Sequence, residues 1–388
     1  MRTLLTFFFM LLAYSSTYAT TFYLDDNGIT IKCEDCVPGD QGVVNGVTYT
    51  AASNNMLADM ANENNADFTT VCTSTVSNMQ FLFSGLPNFN QDIRSWDLSN
   101  TTNTQSMFYG CQIFNRDISH WDVSNVERMS SMFNNCLSFN QDISNWDVSN
   151  VERMTGMFNG AWSFNQDISD WNVSNVELMN SMFYNADHFN QDISGWDVSS
   201  VVDMSNMFNL ASDFNQNIGD WDVGNVENML SMFEYAQSFN QDIGEWDVSN
   251  VENMDRMFIQ AMNFNQDISS WCVTNISSEP MSFSNNSDLE PEQHPYWGAC
   301  PPFTFGCTDP SACNYNPEAN VNDNSCDLSF PCEGDVNLDG DVNSDDLLML
   351  LSEFGCQNDC DADLNADAIV SAIDLLTLLT VFGNSSPQ

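Results

Sequence analysis

Between residues 76 and 283 the apolar positions recur at one fixed spacing. Trp96, Trp121, Trp146, Trp171, Trp196, Trp221, Trp246 and Trp271 follow one another every 25 residues without a slip. The unit around them is Phe139-Asn-Gln-Asp-Ile-Ser-Asn-Trp146-Asp-Val-Ser-Asn-Val151-Glu-Arg-Met154-Thr-Gly-Met157-Phe158. An unvarying unit length without insertions predicts coils stacked on one another, not separate beads. Each apolar position then becomes a ladder of like side chains at about the 4.8 Å strand separation. In Trp-Asp-Val, apolar and polar residues alternate, which predicts a short strand. Val-x-x-Met-x-x-Met-Phe has a 3–4 spacing and predicts a helical or 3₁₀ turn on the return.

One strand and one short helical segment per coil is the leucine-rich-repeat plan, so the expected fold is a leucine-rich-repeat-like solenoid. The many Met then read as core filler. Two readings of the Trp ladder stand side by side. Ile three residues before and Val two after share its face, which favours core, whereas an exposed ladder would stack against sugar rings. Polar columns carry the candidate chemistry. Asp92, Asp117, Asp142, Asp167, Asp192, Asp242 and Asp267 form one column, interrupted by Asn217. Asp97, Asp122, Asp147, Asp197, Asp222 and Asp247 form a second, interrupted by Asn172 and Cys272. Stacked carboxylates repel, so each must accept turn amides or share a row of cations. Replacement by Asn favours the turn amides. The residue before each Trp varies freely, through His120, Asn145, Asp170, Asp220 and Glu245. With Asp122, Asp147, Asp197, Asp222 and Asp247 these positions line the expected ligand surface.

Charge narrows the partners. Seven Lys and Arg face 54 Asp and Glu, a net charge of -47. That excludes nucleic acid and argues against anionic membranes. A hydrophobic content of 43% excludes an acidic disordered polymer. Residues 1–19 read as a signal peptide, with Arg2, the apolar run Leu4 to Leu12, and Thr17-Tyr18-Ala19 before the cut. No other apolar stretch predicts a transmembrane segment, so the expected location is secreted or cell-surface. Export accounts for thirteen Cys, an odd number that leaves at least one unpaired. Cys111 and Cys136 occupy a column of Ala161, Ala186 and Ala211, which favours small core residues over a bridge between coils.

The 25-residue unit resembles the repeat of BspA-like leucine-rich-repeat surface proteins over residues 76–283. That resemblance implies adhesion and supplies no catalytic residues. Residues 20–75 and 284–303 then read as end caps, closed by Cys33 with Cys72 and Cys272 with Cys300. Residues 304–332 resemble short Cys-bounded spacer modules, which implies a loop closed by Cys307 and Cys326.

Residues 333–388 carry the clearest ligand pattern. Asp335, Asn337, Asp339 and Asp346 occupy positions 1, 3, 5 and 12 of a twelve-residue loop, with Gly340 at the sharp turn. Asp341 would ligate through its carbonyl and Asn343 through water. A second copy begins 28 residues on, with Asp363, Asn365, Asp367, Ile369, Ser371 and Asp374 at the matching places. Leu347 to Gly355 and Leu375 to Gly383 read as trailing helices. The duplicated loop and helix resemble a type I dockerin, which implies a small all-α, EF-hand-like domain, Ca²⁺ and a cohesin-type receptor. Ala368 replaces the turn Gly in the second loop. Docking within the chain or onto an envelope component is the alternative.

The expected function is a secreted or cell-surface binding and adhesion protein for a protein or glycan ligand, attached through its Ca²⁺-dependent tail. A structural spacer, or a non-catalytic part of a polysaccharide-degrading assembly, is the alternative. His120, His188 and His294 lie in unrelated contexts and no nucleophile has a visible base, so no enzyme is expected.

Overall fold

The structure, a computed structural model, describes residues 20–63, 66–309, 312, 315–316, 318–322, 324–326, 334–337, 342–358 and 360–382. The expected signal peptide therefore lies outside the described residues, as do the expected loop residues Asp339, Gly340 and Asp341. No helix among the described residues is long and apolar enough to cross a membrane. The chain divides into two compact units. One comprises Met1–Gln241, Met254–Phe264 and Ser282–Asp288, the other Asp242–Asn253, Asn265–Met281 and Leu289–Gln388.

The first unit opens with β1 (Thr21–Leu24) antiparallel to β2 (Ile31–Glu34). The strand β3 (Gln41–Val44) pairs with β4 (Val47–Ala51) across Asn45-Gly46, whose φ values of 52° and 83° suit the primed turn that such hairpins need. The helix α1 (Asn54–Ala61) starts at Ser53, whose hydroxyl accepts the Met56 N–H. The short β5 (Val71–Cys72) then pairs parallel with β4. Cys33 is joined to Cys72, and both are buried with Ile31, Val44 and Ala51.

The coils that follow form a repeat solenoid. The Ile, Trp, Val, Met and Phe columns expected to be core are buried, with Trp121, Trp146 and Trp171 each 3% exposed. Successive indoles stack at 6.5 Å between Trp96 and Trp121 and 6.4 Å between Trp121 and Trp146. Each coil pairs two phenyl rings tightly, Phe133 on Phe139 at 3.9 Å, and Phe133 stacks on Phe158 of the next coil at 5.8 Å. From Trp121 to Trp221 each indole N–H donates to the carbonyl of an Ile in the preceding coil, as Trp171 does to Ile143 at 3.1 Å, while Trp96 donates to the Phe68 carbonyl at 3.0 Å.

The backbone ladder lies elsewhere than the alternation predicts. Trp-Asp-Val forms no strand, and no helix forms between residues 76 and 283. Parallel bridges instead join Asn103, Arg128, Arg153, Leu178 and Asp203, each just before the first Met-column residue. There every second peptide donates to the next coil, as Met129, Ser131, Phe133 and Asn135 do to Arg153, Thr155, Met157 and Asn159. The peptides between close turns within the coil, Met132 N–H to Met129 and Cys136 N–H to Phe133. Positive φ at Ser131 (56°) and Asn135 (57°) drives this alternation, because it breaks a helix while keeping the 3–4 spacing. Beside the Trp, side chains join the coils instead, with the Asn150 amide on the Ser124 carbonyl at 2.7 Å.

In the second unit, Trp246 stacks on Trp271 at 6.4 Å and Cys272 is joined to Cys300. Cys307 is joined to Cys326, beside the parallel pair β6 (Phe305–Gly306) and β7 (Val321–Asn322). Two helices end the described chain, α2 (Ser344–Ser352) and α3 (Ala372–Thr380). Both start three residues before the expected Leu. The reason is a capping box at each start, Asn343 with Asp346 and Ser371 with Asp374, which draws the last loop ligand into the first turn. Val342, Leu350, Val370 and Leu378 pack together, each residue of one copy matched 28 positions on by the other.

Candidate functional site

Backbone alternation either side of each buried indole turns the variable residues outward. His120, Asn145, Asp170, Asp220 and Glu245 are all exposed, as are Asp122, Asp147, Asp197, Asp222 and Asp247. One edge of each coil thus carries an exposed residue, a buried Trp and an exposed Asp, in that order. Asp97 departs from its column: it is 3% exposed and pairs with Lys32 at 3.7 Å.

Turn amides occupy the acidic columns. Ser144 donates its N–H to Asp142 at 3.0 Å and its hydroxyl at 2.7 Å, and Ser124 does the same to Asp122 at 3.1 and 2.6 Å. Asn172 and Asn217 keep the same bond, to Ser174 at 3.2 Å and Gly219 at 3.1 Å. Such bonds favour the charged form. The hydroxyl and N–H of Ser119, Ser194 and Ser269 hold Asp117, Asp192 and Asp267 below the ordinary carboxylate range. Ser149, Ser199 and Ser249 do so for Asp147, Asp197 and Asp247. This accounts for stacked carboxylates without a bound cation.

In the tail, Asp346 is buried and accepts the N–H groups of Val336, Asn337 and Asn343 at 2.9, 3.1 and 2.8 Å. Asp374 repeats this on Leu364, Asn365 and Ser371 at 3.0, 3.2 and 2.7 Å. Burial pushes the Asp374 carboxyl up, but the donors on Ser371 and Asn365 outweigh it and the pKa falls below the usual range. Asp363 accepts Asp367 and Ala368 N–H groups at 3.2 and 2.7 Å, while Asn365 and Asp367 are exposed. Ala368 holds φ at 71°, the handedness its position requires. Ile369 bridges to Gln357, which ties the second loop to the segment before it. Asp335 is buried and Asn337 half-buried. Among the described residues no three His, Cys, Asp or Glu side chains converge as a metal site.

Three features escaped the sequence reading. Cys356 is joined to Cys360, a pair whose short spacing was visible. Cys36 is the second, unpaired and half-buried, whereas Cys111 and Cys136 are the unpaired core residues expected, burial pushing the Cys111 thiol up to about 12. The third is an exposed cluster on neighbouring coils. The Trp162 indole donates to Asp187 at 3.0 Å and stacks on His188 at 6.0 Å, while His188 Nδ1 meets Asp213 at 2.9 Å. Its signal was a Trp out of register, in a column otherwise holding Gln112, Leu137, Asp187, Ser212, Gln237 and Met262.

The profile of a family described as "Mycoplasma protein of unknown function, DUF285" matches the chain three times in tandem, over residues 51–149, 117–209 and 189–296. No curated protein matches it.

Proposed function

The chain belongs to the DUF285 family, and from that premise we propose that it is a secreted or cell-surface, non-catalytic binding protein. In this reading the BspA-like solenoid recognises a protein or glycan, and a dockerin-like tail attaches it. The observation that carries the reading is the row of exposed, variable residues from His120 to Glu245, held beside an invariant buried Trp in every coil. Such a row, exposed, unlike from coil to coil and held at a fixed spacing by the buried columns, is the kind of surface with which repeat proteins recognise ligands.

Ca²⁺ is the cation proposed for the tail. The donor set fits a hard cation: carboxylate and amide oxygens of Asp363, Asn365 and Asp367, with the loop folded around them by their own N–H groups. Asp335 and Asn337, with Asp339 and Asp341, are the proposed first-loop ligands. Asp346 and Asp374 each accept three backbone N–H groups, so they are proposed to close the loops chiefly through those bonds. The proposed receptor for the tail is cohesin-like or an envelope component. Purified chain screened against polysaccharides and matrix proteins tests the recognition role. Selective binding to one class supports it, and uniform inertness would leave a structural spacer.

A further inference from the structure

The ladder of main-chain bonds in the coils is polar. In each bond of the Met-Phe segment, the earlier coil supplies the N–H and the later coil the carbonyl, four to each interface whose donors lie between Met79 and Leu210. Main-chain bonds on either side of the segment oppose them, such as Glu152 N–H to the Glu127 carbonyl before it and Ser138 N–H to the Gln112 carbonyl after it. The first coil therefore commits the N–H groups of Met79, Phe81, Phe83 and Gly85 to the second, at 2.7 to 3.0 Å. In a trans peptide the carbonyl points opposite to the N–H, so the four matching carbonyls face out of the stack. They belong to Asn78, Gln80, Leu82 and Ser84, and among the described residues none of them receives a donor. Peptide dipoles aligned head to tail leave partial negative charge on such terminal carbonyls.

An ordinary strand edge alternates donors and acceptors and can be extended by another strand. Over residues 78–84 this edge offers acceptors alone, the outward N–H of Ser77 beside it being taken by the Asn54 side chain at 3.2 Å, so a strand added there would bury its own carbonyls against it. A pure donor is required. The carbonyl row also borders a cleft of about 280 Å³ beneath α1, where Ala58 and Ala61 leave room. Phe81 lines the same cleft and is 54% exposed. It holds φ at 61°, in a column that elsewhere carries Ser106, Ser131, Gly156, Ser181, Asn206, Ser231 and Arg256, the last held by an ion pair with Glu234. A phenyl ring in left-handed backbone, half in water, contributes little to the coil that holds it. No Lys or Arg lines the cleft.

We propose that this cleft takes an arginine side chain from a basic partner segment. The guanidinium is planar, cationic and carries only donors, so it can serve the carbonyl row and stack on Phe81. The net charge of -47 draws such a segment in. An ammonium lacks the stacking face, and a neutral urea brings an acceptor to a row of acceptors.

Calorimetric titration of the full chain tests this, in roughly 0.5 M NaCl, where the screening length of about 4 Å mutes the exposed carboxylates. The probes are capped tetra-arginine, tetra-lysine and tetra-citrulline. Tetra-arginine is expected to bind about tenfold tighter than tetra-lysine, and tetra-citrulline not at all. Phe81→Gly, which suits the positive φ and so keeps the fold, is expected to weaken tetra-arginine about tenfold. Ala58→Arg, supplying the donor from α1, is expected to abolish binding and raise Tm. Equal affinity for the arginine and lysine peptides, unchanged binding in both variants, or no binding would overturn the proposal.

Discussion

Trp171 is 3% exposed and its ring N–H reaches the Ile143 carbonyl at 3.1 Å, so one side chain both fills a coil and ties it to the last. Trp171→Ala should cost about 3–5 kcal/mol, and Trp171→Phe, which keeps a ring but strands that carbonyl, about 1–3 kcal/mol, read from urea midpoints. The acidic columns make a prediction of opposite dependence on conditions. Asp117, Asp147, Asp192, Asp197, Asp247 and Asp267 have folded pKa values below their unfolded ones. The native state therefore binds fewer protons, and their contribution is complete above the unfolded value and lost as pH falls through the folded one. The urea midpoint should drop as pH falls below about 4, the ordinary Asp value. Changing these six residues to Asn, as Asn172 and Asn217 already stand, should flatten that drop.

At the scale of elements, the left-handed positions decide what the coil can be. Tyr235 holds φ at 61° and is 38% exposed. Tyr235→Gly should shift stability by less than about 1 kcal/mol, measured as Tm, because relief of backbone strain offsets the ring packing that is lost, whereas Tyr235→Ala should cost more. The buried columns were legible in the sequence, since a ladder of Trp, Ile and Met repeated without insertion has one way to be buried. The position of the ladder was not. Trp-Asp-Val alternates in burial as a strand does, but its Asp caps the following turn, and the Asn two residues after the Val, as Asn150, bonds the previous coil by side chain. Met-x-x-Met-Phe has helical spacing, yet Ser131 and Asn135 adopt positive φ that composition alone does not announce. Likewise the loop pattern of the tail was plain, but not that Asp346 and Asp374 would double as capping residues. If Ca²⁺ orders those loops, excess EGTA should abolish the far-UV circular dichroism of α2 and α3 and leave the coils unchanged. Retention of that signal would argue that the two capping boxes and the shared apolar core suffice.

Over the whole molecule, burial and charge divide the labour. Packing is carried by apolar columns that barely change from coil to coil, and the variable residues lie in water beside the Trp column. A surface so acidic selects ligands that are neutral or basic and makes binding to the basic ones salt-dependent. The central claim is that the variable edge of the solenoid is the recognition surface. Its most direct test is to replace His120, Asn145, Asp170, Asp220 and Glu245 together by Ser and measure binding to whichever array ligand the wild type selects. The account predicts at least a tenfold loss of affinity with Tm unchanged, because all five side chains are exposed. Unchanged affinity in a folded variant would place recognition elsewhere and contradict it.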